Sequence, residues 1–113
     1  MAAKILVPVD GSENSDRAVR YALTLLKGGS GKLHLLNVQP PLSGATRTFV
    51  RQADIDAYHR EEGEKALASG LKVAADAGTT AEKHISVGRP GELAAEFAKR
   101  VGATMIVMGT RGH

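Results

Sequence analysis

The sequence lacks the features that mark several large classes of protein. It contains no cysteine, which excludes a disulfide framework and thiolate chemistry. Its first ten residues, MAAKILVPVD, lack the long apolar stretch of a signal peptide, and no segment approaches the roughly 20 apolar residues of a membrane-spanning helix. We therefore expect a soluble, cytoplasmic protein without a membrane partner.

Positive charge is present but is not concentrated in one segment. Lys and Arg together number 15 against 12 Asp and Glu, and the basic residues are scattered, as at Lys4, Arg17, Arg20, Lys72 and Arg100. Domains that bind nucleic acid usually gather such residues on one face or along one helix. The distribution therefore argues against a nucleic-acid partner.

The remaining composition is that of an ordinary globular domain, with 42% apolar and 24% charged residues in a chain of 113. No internal repeat, low-complexity tract or linker divides the chain. A length of this order supports one hydrophobic core but not two. We therefore expect a single domain over residues 1–113.

Apolar periodicity alternates regularly between two patterns along the chain. Four short segments have the residues of β-strands, and three longer ones carry an apolar stripe at helical spacing. The predicted strands are 4–9, 32–38, 81–87 and 104–108, and the predicted helices are 12–27, 52–77 and 90–101. The segment 39–49 contains two prolines and a glycine, which indicates a long loop. This order predicts an α/β fold, an open, doubly wound, Rossmann-like parallel sheet with helices on both faces.

The third strand, AEKHISV, differs from the other three. Its apolar and polar residues alternate, which is typical of a strand near the edge of a sheet, whereas the other strands are almost continuously apolar. If the third strand is the outer edge, the strand order reverses between the first and fourth strands. Ligands of doubly wound sheets bind at the carboxyl ends of the strands at this reversal. There we expect Asp10 to face the glycines Gly109 and Gly112, which allow backbone amides to approach a phosphate closely.

Each of these residues also has a purely structural interpretation. Asp10 could be a turn or cap residue, and Gly109 and Gly112 could only permit a tight bend. The histidines at 34, 59, 84 and 113 lack close metal-ligand spacing, so we interpret them as strand or surface residues and expect no metal site. The sequence contains no recognisable P-loop lysine motif or catalytic triad, so we expect that the protein has no catalytic residues and is not an enzyme. A phosphorelay receiver domain is disfavoured because no aspartate follows the third strand.

Two segments, ILVPVDGSENSDRAVRYAL and VGRPGELAAEFAKRVGATMIVMGTRGH, resemble the universal stress protein family. The resemblance covers the whole chain. It implies an ATP-binding module of the stress response, working as a cytoplasmic homodimer. A second possibility within the family is a stress-linked module that dimerises without binding nucleotide. Slow ATP hydrolysis is compatible with the first possibility.

The resemblance also assigns roles to individual positions. It implies that Pro8, Val9 and Val38 line the adenine pocket and that Asp10 meets the ribose or a phosphate-bound Mg²⁺ or Mn²⁺. Met108 would then pack near the sugar or base. Gly109 and Gly112 would offer their backbones to the ribose and phosphates, as the first pair of a longer family motif that continues with Gly followed by Ser or Thr.

That continuation is absent from the 113 residues. Segment 104–108 is continuously apolar, so we expect an interior strand with neighbours on both sides, whereas the visible order supplies a neighbour on one side only. We therefore expect the domain to be incomplete at its C-terminal end, with a fifth strand beyond His113. We also expect nucleotide binding by this chain to be weak or absent, because Gly109 and Gly112 supply half of the phosphate-binding loop.

Overall fold

The computed structural model describes residues 3–26 and 31–109. Four strands and four helices follow one another in these ranges. They are β1 (Lys4–Pro8), α1 (Glu13–Leu26), β2 (Lys32–Gln39), α2 (Gly44–Phe49), α3 (Gln52–Asp76), β3 (Ala81–Val87), α4 (Pro90–Val101) and β4 (Met105–Ile106). The strands form one parallel sheet in the order β3-β2-β1-β4. The predicted fold class and the edge position of the third strand are confirmed.

The two faces of the sheet are buried against different helices. On one face, Ile5 and Val7 of β1 and Leu33 and Leu35 of β2 pack with the apolar residues of α1 and α3. On the other face, a smaller cluster joins Leu6 and Leu36 to Ala98 of α4. Both central strands are mostly apolar because each of their faces is covered, and β2 carries the buried polar residues His34 and Asn37.

Two predictions about local structure are wrong in detail. Part of the predicted loop 39–49 forms the short helix α2, whose Phe49 is 86% exposed. A short helix without a packed face carries no apolar stripe, so periodicity could not reveal it. The predicted strand 104–108 is regular only at Met105–Ile106, although the Val107 amide still donates to the Leu6 carbonyl oxygen at 3.0 Å.

The strand β4 has a neighbour on one side only among the described residues, as the visible strand order implied, and the further strand expected beyond His113 stays a prediction. Within residues 3–26 and 31–109, β4 pairs only with β1, and Met105 and Ile106 are 46% and 37% exposed. Val107, by contrast, is buried in the larger core cluster. The longest helix, α3, is too polar to cross a membrane, and the other helices of the described ranges likewise fall short of the required length and hydropathy.

Candidate functional site

A cleft of about 270 Å³ opens at the carboxyl ends of β1 and β2, beside the start of α1. It lies where the strand order reverses between β1 and β4, which is the usual ligand position in an open α/β sheet. Apolar and polar residues both line it: Pro8, Val9, Asp10, Ser12, Asn14, Ser15, Leu36, Asn37, Val38, Pro90, Met108 and Gly109. The chain therefore forms a concave site where the doubly wound topology predicts one.

The turn that leaves β1 fixes Asp10 at this cleft. Gly11 has a φ of +84°, a conformation that L side chains rarely adopt, so the chain turns sharply after Asp10. The Ser12 amide donates to Asp10 Oδ1 at 2.9 Å, and the Asp10 amide donates to Ser15 Oγ at 3.3 Å. The carboxylate thus takes part in an Asx-type turn and also lines the cleft.

The amino end of α1 is capped by serine side chains that line the same cleft. The Ser15 amide donates to Ser12 Oγ at 3.2 Å, and Ser15 Oγ donates to the Ser12 carbonyl oxygen at 3.0 Å. A helix amino end carries a partial positive charge and favours anions. The site therefore combines hydroxyl groups with a favourable electrostatic position for a phosphate or another anion.

Asn37 is the polar residue that supports the floor of the cleft. It is only 3% exposed, and its Nδ2 donates to the Val9 carbonyl oxygen at 2.8 Å. Gln39 Nε2 donates in turn to Asn37 Oδ1 at 2.6 Å. The first hydrogen bond joins the carboxyl ends of β1 and β2, and the second, within β2, fixes the Asn37 amide that makes it. Together they preorganise the apolar wall formed by Pro8, Val9 and Val38.

Gly109 approaches the amino end of α1 so closely that a larger side chain would collide with it. A Cβ atom at this position would lie 2.6 Å from the Asn14 carbonyl oxygen and 3.2 Å from the Ser15 amide nitrogen. Real side chains essentially never make such contacts with backbone. The glycine therefore allows the segment after β4 to close the cleft against α1.

Of the seven residues assigned from the sequence, the structure places Pro8, Val9, Asp10, Val38, Met108 and Gly109 around this one cleft. Gly112 lies outside the described residues. Their role in binding nucleotide stays a prediction. Sequence reasoning missed Asn37, whose signal was a single polar residue inside the otherwise apolar end of the LHLLNV segment. It also did not assign Ser12, Asn14 and Ser15 to the site, although they line the cleft as well.

A second group of functional side chains lies on the sheet away from the cleft. His34 Nδ1 is 3.0 Å from His84 Nε2 and 3.1 Å from Glu82 Oε2. Burial lowers the pKa of both histidines, although the Glu82 carboxylate acts in the opposite direction. From the sequence we interpreted both as strand or surface residues, because the histidines lack close metal-ligand spacing. Parallel pairing of β2 with β3 brings them together, so sequence spacing was a poor guide here.

An open parallel α/β sheet with a cleft at its strand-order reversal places the chain among the doubly wound α/β proteins. The chain belongs to the universal stress protein family, whose family model matches residues 1–113. It is 32% identical to universal stress protein YxiE of Bacillus subtilis, over 99% of this chain and 81% of that protein. It is 30% identical to universal stress protein MJ0531 of Methanocaldococcus jannaschii, over 96% of this chain and 65% of that protein.

Solved structures show the same similarity. A universal stress protein crystallised in complex with cAMP is 29% identical, with a TM-score of 0.71 over 93% of this chain and 74% of that one. Some structural relatives of this chain are thus bound to adenine nucleotides.

Proposed function

We propose that this chain is an ATP-binding regulatory module of the stress response, acting in the cytoplasm as a homodimer. The observation that carries the proposal is the cleft at the strand-order reversal, where an apolar wall meets a carboxylate, two serines and a helix amino end. An adenine nucleotide has matching chemistry, with an apolar flat base, a sugar with hydroxyl groups and an anionic tail. The cAMP complex of a relative supports the same class of ligand.

Each part of the nucleotide has a complementary part of the cleft. Pro8, Val9 and Val38 offer apolar contact to the base. Asp10 offers carboxylate oxygens to ribose hydroxyls or to a phosphate-bound Mg²⁺ or Mn²⁺. Gly109 offers backbone that no side chain obstructs, next to the positive end of α1. We infer that Gly112 extends this phosphate-binding segment.

The cleft favours binding over catalysis. Among the described residues that line it, Asp10 is the sole ionisable side chain, and no lysine, arginine or histidine belongs to the lining. Phosphoryl transfer requires a positioned base and cations that neutralise the developing charge. We therefore propose a regulatory role in which the nucleotide is the signal, and any hydrolysis is slow.

A different function is favoured by the exposed apolar side chains of β4. Met105 and Ile106 are 46% and 37% exposed at the outer side of the described sheet. A module that dimerises through this edge without binding nucleotide would also cover them. Titration with ATP separates the two functions, because only the first requires the cleft.

The test is calorimetric titration of the full chain with ATP in the presence of Mg²⁺, for the wild type and Asp10 variants. Asp10→Ala should weaken ATP binding by about tenfold, equivalent to roughly 1.4 kcal/mol. Asp10→Asn can still accept the Ser12 amide hydrogen bond, so it should keep the turn but lose the metal-dependent part of the affinity. Asp76→Ala, at the far end of α3, is the matched control and should bind as the wild type does.

Two results would contradict the proposal. Because Gly109 and Gly112 supply only half of the phosphate-binding loop, weak binding is expected and the titration extends to millimolar ATP; absence of binding by the wild type even there would favour the dimerisation module. ATP binding that Asp10→Ala leaves unchanged would show that the nucleotide occupies some other surface.

A further inference from the structure

We propose that His34, Glu82 and His84 form a binding site for a divalent transition-metal ion of the zinc type. The site would connect the edge strand β3 to the central strand β2, toward the amino ends of the strands. None of its three residues is among those that line the nucleotide cleft, although Leu36, the register partner of His84, lines that cleft from the neighbouring strand. The proposal therefore does not depend on nucleotide binding.

The register of the sheet places the three side chains on one face. His34 is the direct partner of Glu82, and His84 is the partner of Leu36. Residues two apart in a strand point to the same side, so Glu82 and His84 both flank His34. Leu36 belongs to the core cluster with Ala98 of α4, which identifies this side of the sheet as the α4 side.

The distances between the candidate ligand atoms fit a small ion. His34 Nδ1 is 3.0 Å from His84 Nε2 and 3.1 Å from Glu82 Oε2, and the three ligand atoms all lie within 4.8 Å of one another. Ligands of tetrahedral zinc at bond lengths of 2.0–2.1 Å are about 3.3 Å apart. Shifts of a few tenths of an ångström in the two short separations, well within side-chain freedom, would match that value.

The protonation state of the two histidines allows them to bind a cation. Burial lowers the pKa of both His34 and His84, so both imidazoles are neutral at pH 7 and have a lone pair to offer. Without a metal, a proton on His34 Nδ1 would have to serve two acceptors, Glu82 Oε2 and His84 Nε2, and a proton on His84 Nε2 would leave the lone pairs of His34 Nδ1 and Glu82 Oε2 facing each other at 3.1 Å. A metal ion would replace that proton and satisfy all three atoms at once.

The surroundings determine which metal fits and how tightly. Two imidazole nitrogens and one carboxylate oxygen suit Zn²⁺, and Cu²⁺ should bind still more tightly to such a set. Glu82 is half exposed, so water can complete the coordination. The other carboxylate oxygen, Oε1, is 3.5 Å from Lys32 Nζ and therefore keeps its ion pair.

Two features reduce the expected affinity. Lys32 and Lys4 place positive charge near His34 and oppose a cation. In addition, the buried His34 Nε2 has no hydrogen-bond partner in the described ranges, whereas imidazoles of tight metal sites usually donate to an acceptor there. Loss of that acceptor typically lowers metal affinity by about 10–100-fold. We therefore expect zinc to bind in the micromolar range.

The experiment is a calorimetric titration of the tag-free, chelator-treated full chain with ZnCl₂, combined with thermal unfolding. The wild type should bind one Zn²⁺ at this site, and saturating zinc should raise Tm by several degrees. Co²⁺ in place of Zn²⁺ should give the intense visible absorption of a four-coordinate ion. Glu82→Gln should weaken zinc binding at least tenfold and remove the Tm shift.

A matched control lies on helix α3, which packs on the other face of β3. Glu64 is also half exposed and also pairs with a lysine, Lys83, so Glu64→Gln removes an equivalent charge without touching the cluster. It should bind zinc as the wild type does. His84→Gln serves as a second variant, and its far-UV circular dichroism without zinc shows whether it has folded.

Three results would overturn the proposal. The first is no zinc binding by the wild type at millimolar concentration. The second is a Glu82→Gln chain that binds zinc as tightly as the wild type. The third is equal weakening by Glu82→Gln and Glu64→Gln, which would indicate a general charge effect.

Discussion

At the scale of single residues, the cleft depends both on the absence of a side chain at Gly109 and on the side chain of Asn37. A Cβ atom added to Gly109 would lie 2.6 Å from the Asn14 carbonyl oxygen. The φ of Gly109 is not positive, so the constraint is one of space and not of backbone conformation. Asn37, by contrast, acts through its side chain, whose Nδ2 donates a hydrogen bond to the Val9 carbonyl oxygen at 2.8 Å.

The glycine argument predicts opposite effects for two identical substitutions. Gly109→Ala should destabilise the fold by about 1–3 kcal/mol, because the methyl group must displace backbone of α1. Gly91→Ala in α4 should stabilise it by about 0.5–1 kcal/mol, since no atom lies within 4 Å of the added Cβ and alanine favours helix. Urea denaturation measures both. Equal effects of the two substitutions would show that Gly109 is not tightly packed.

At the scale of elements, the pattern of polarity along each strand determined how much of the sheet could be predicted. The first two predicted strands, which are almost continuously apolar, are the central strands β1 and β2 with both faces covered. The predicted strand with alternating polarity is the edge strand β3. The short helix α2 could not be predicted because Gly44, Ala45, Thr48 and Phe49 are all exposed, so burial imposes no periodicity on them. The length of β4 was overestimated because apolar residues indicate a strand but not where its pairing ends.

For the candidate site too, some features could be predicted from the sequence and others could not. Its location followed from topology, because the carboxyl ends of parallel strands meet at one edge of the sheet. The hydrogen bond from Asn37 to Val9 could not be predicted from the topology, since hydrogen bonds to a neighbouring strand depend on side-chain direction. The His34 and His84 pair did not follow either, because the pairing register of β2 with β3 is a long-range property that local spacing does not contain.

The histidine pair, of which His34 is buried and His84 half-buried, predicts a pH dependence of stability in the metal-free chain. Burial lowers the folded-state pKa of His34 and His84 below 6.5, so the unfolded chain takes up protons first as the pH falls. Stability should therefore be complete above pH 6.5 and decline below it, until the folded-state pKa values are reached. The nearby charges that modify this decline are Glu82, Lys32 and Lys4.

Urea midpoints at pH 7.5 and pH 5.5, with chelator present, measure the decline. The variant His84→Gln removes one of the two titrating groups and should show a smaller loss of stability between these pH values. A loss as large as that of the wild type would mean that other groups govern the acid sensitivity.

At the scale of the whole molecule, the two outer strands of the described sheet differ in character. The edge strand β3 carries charged residues, including Glu82 and Lys83, each paired with an opposite charge. On the other side, β4 exposes Met105 and Ile106. Charged edge strands resist association with other chains, whereas exposed apolar edges favour it. We therefore expect the β4 side, where a further strand is also predicted, to be the side on which a second chain packs, and not the β3 side.

The homodimer can be tested by sedimentation equilibrium at micromolar concentrations. Wild-type chains should associate as dimers, and Ile106→Glu should shift them toward monomers because a charge would be buried in the contact. Val87→Glu, at a similarly exposed apolar residue of β3, should leave the dimer intact. Monomeric wild type, or equal dissociation by both variants, would contradict dimerisation through β4.

The central claim is that an adenine nucleotide binds in the cleft at the strand-order reversal. The most direct measurement is a titration of the ¹⁵N-labelled chain with ATP and Mg²⁺, followed by amide chemical shifts. The account predicts that the largest shifts fall on Val9, Asp10, Ser12 and Gly109, with little change in β3 at the far edge of the sheet. Unchanged spectra at millimolar ATP, or shifts concentrated away from the cleft, would contradict it.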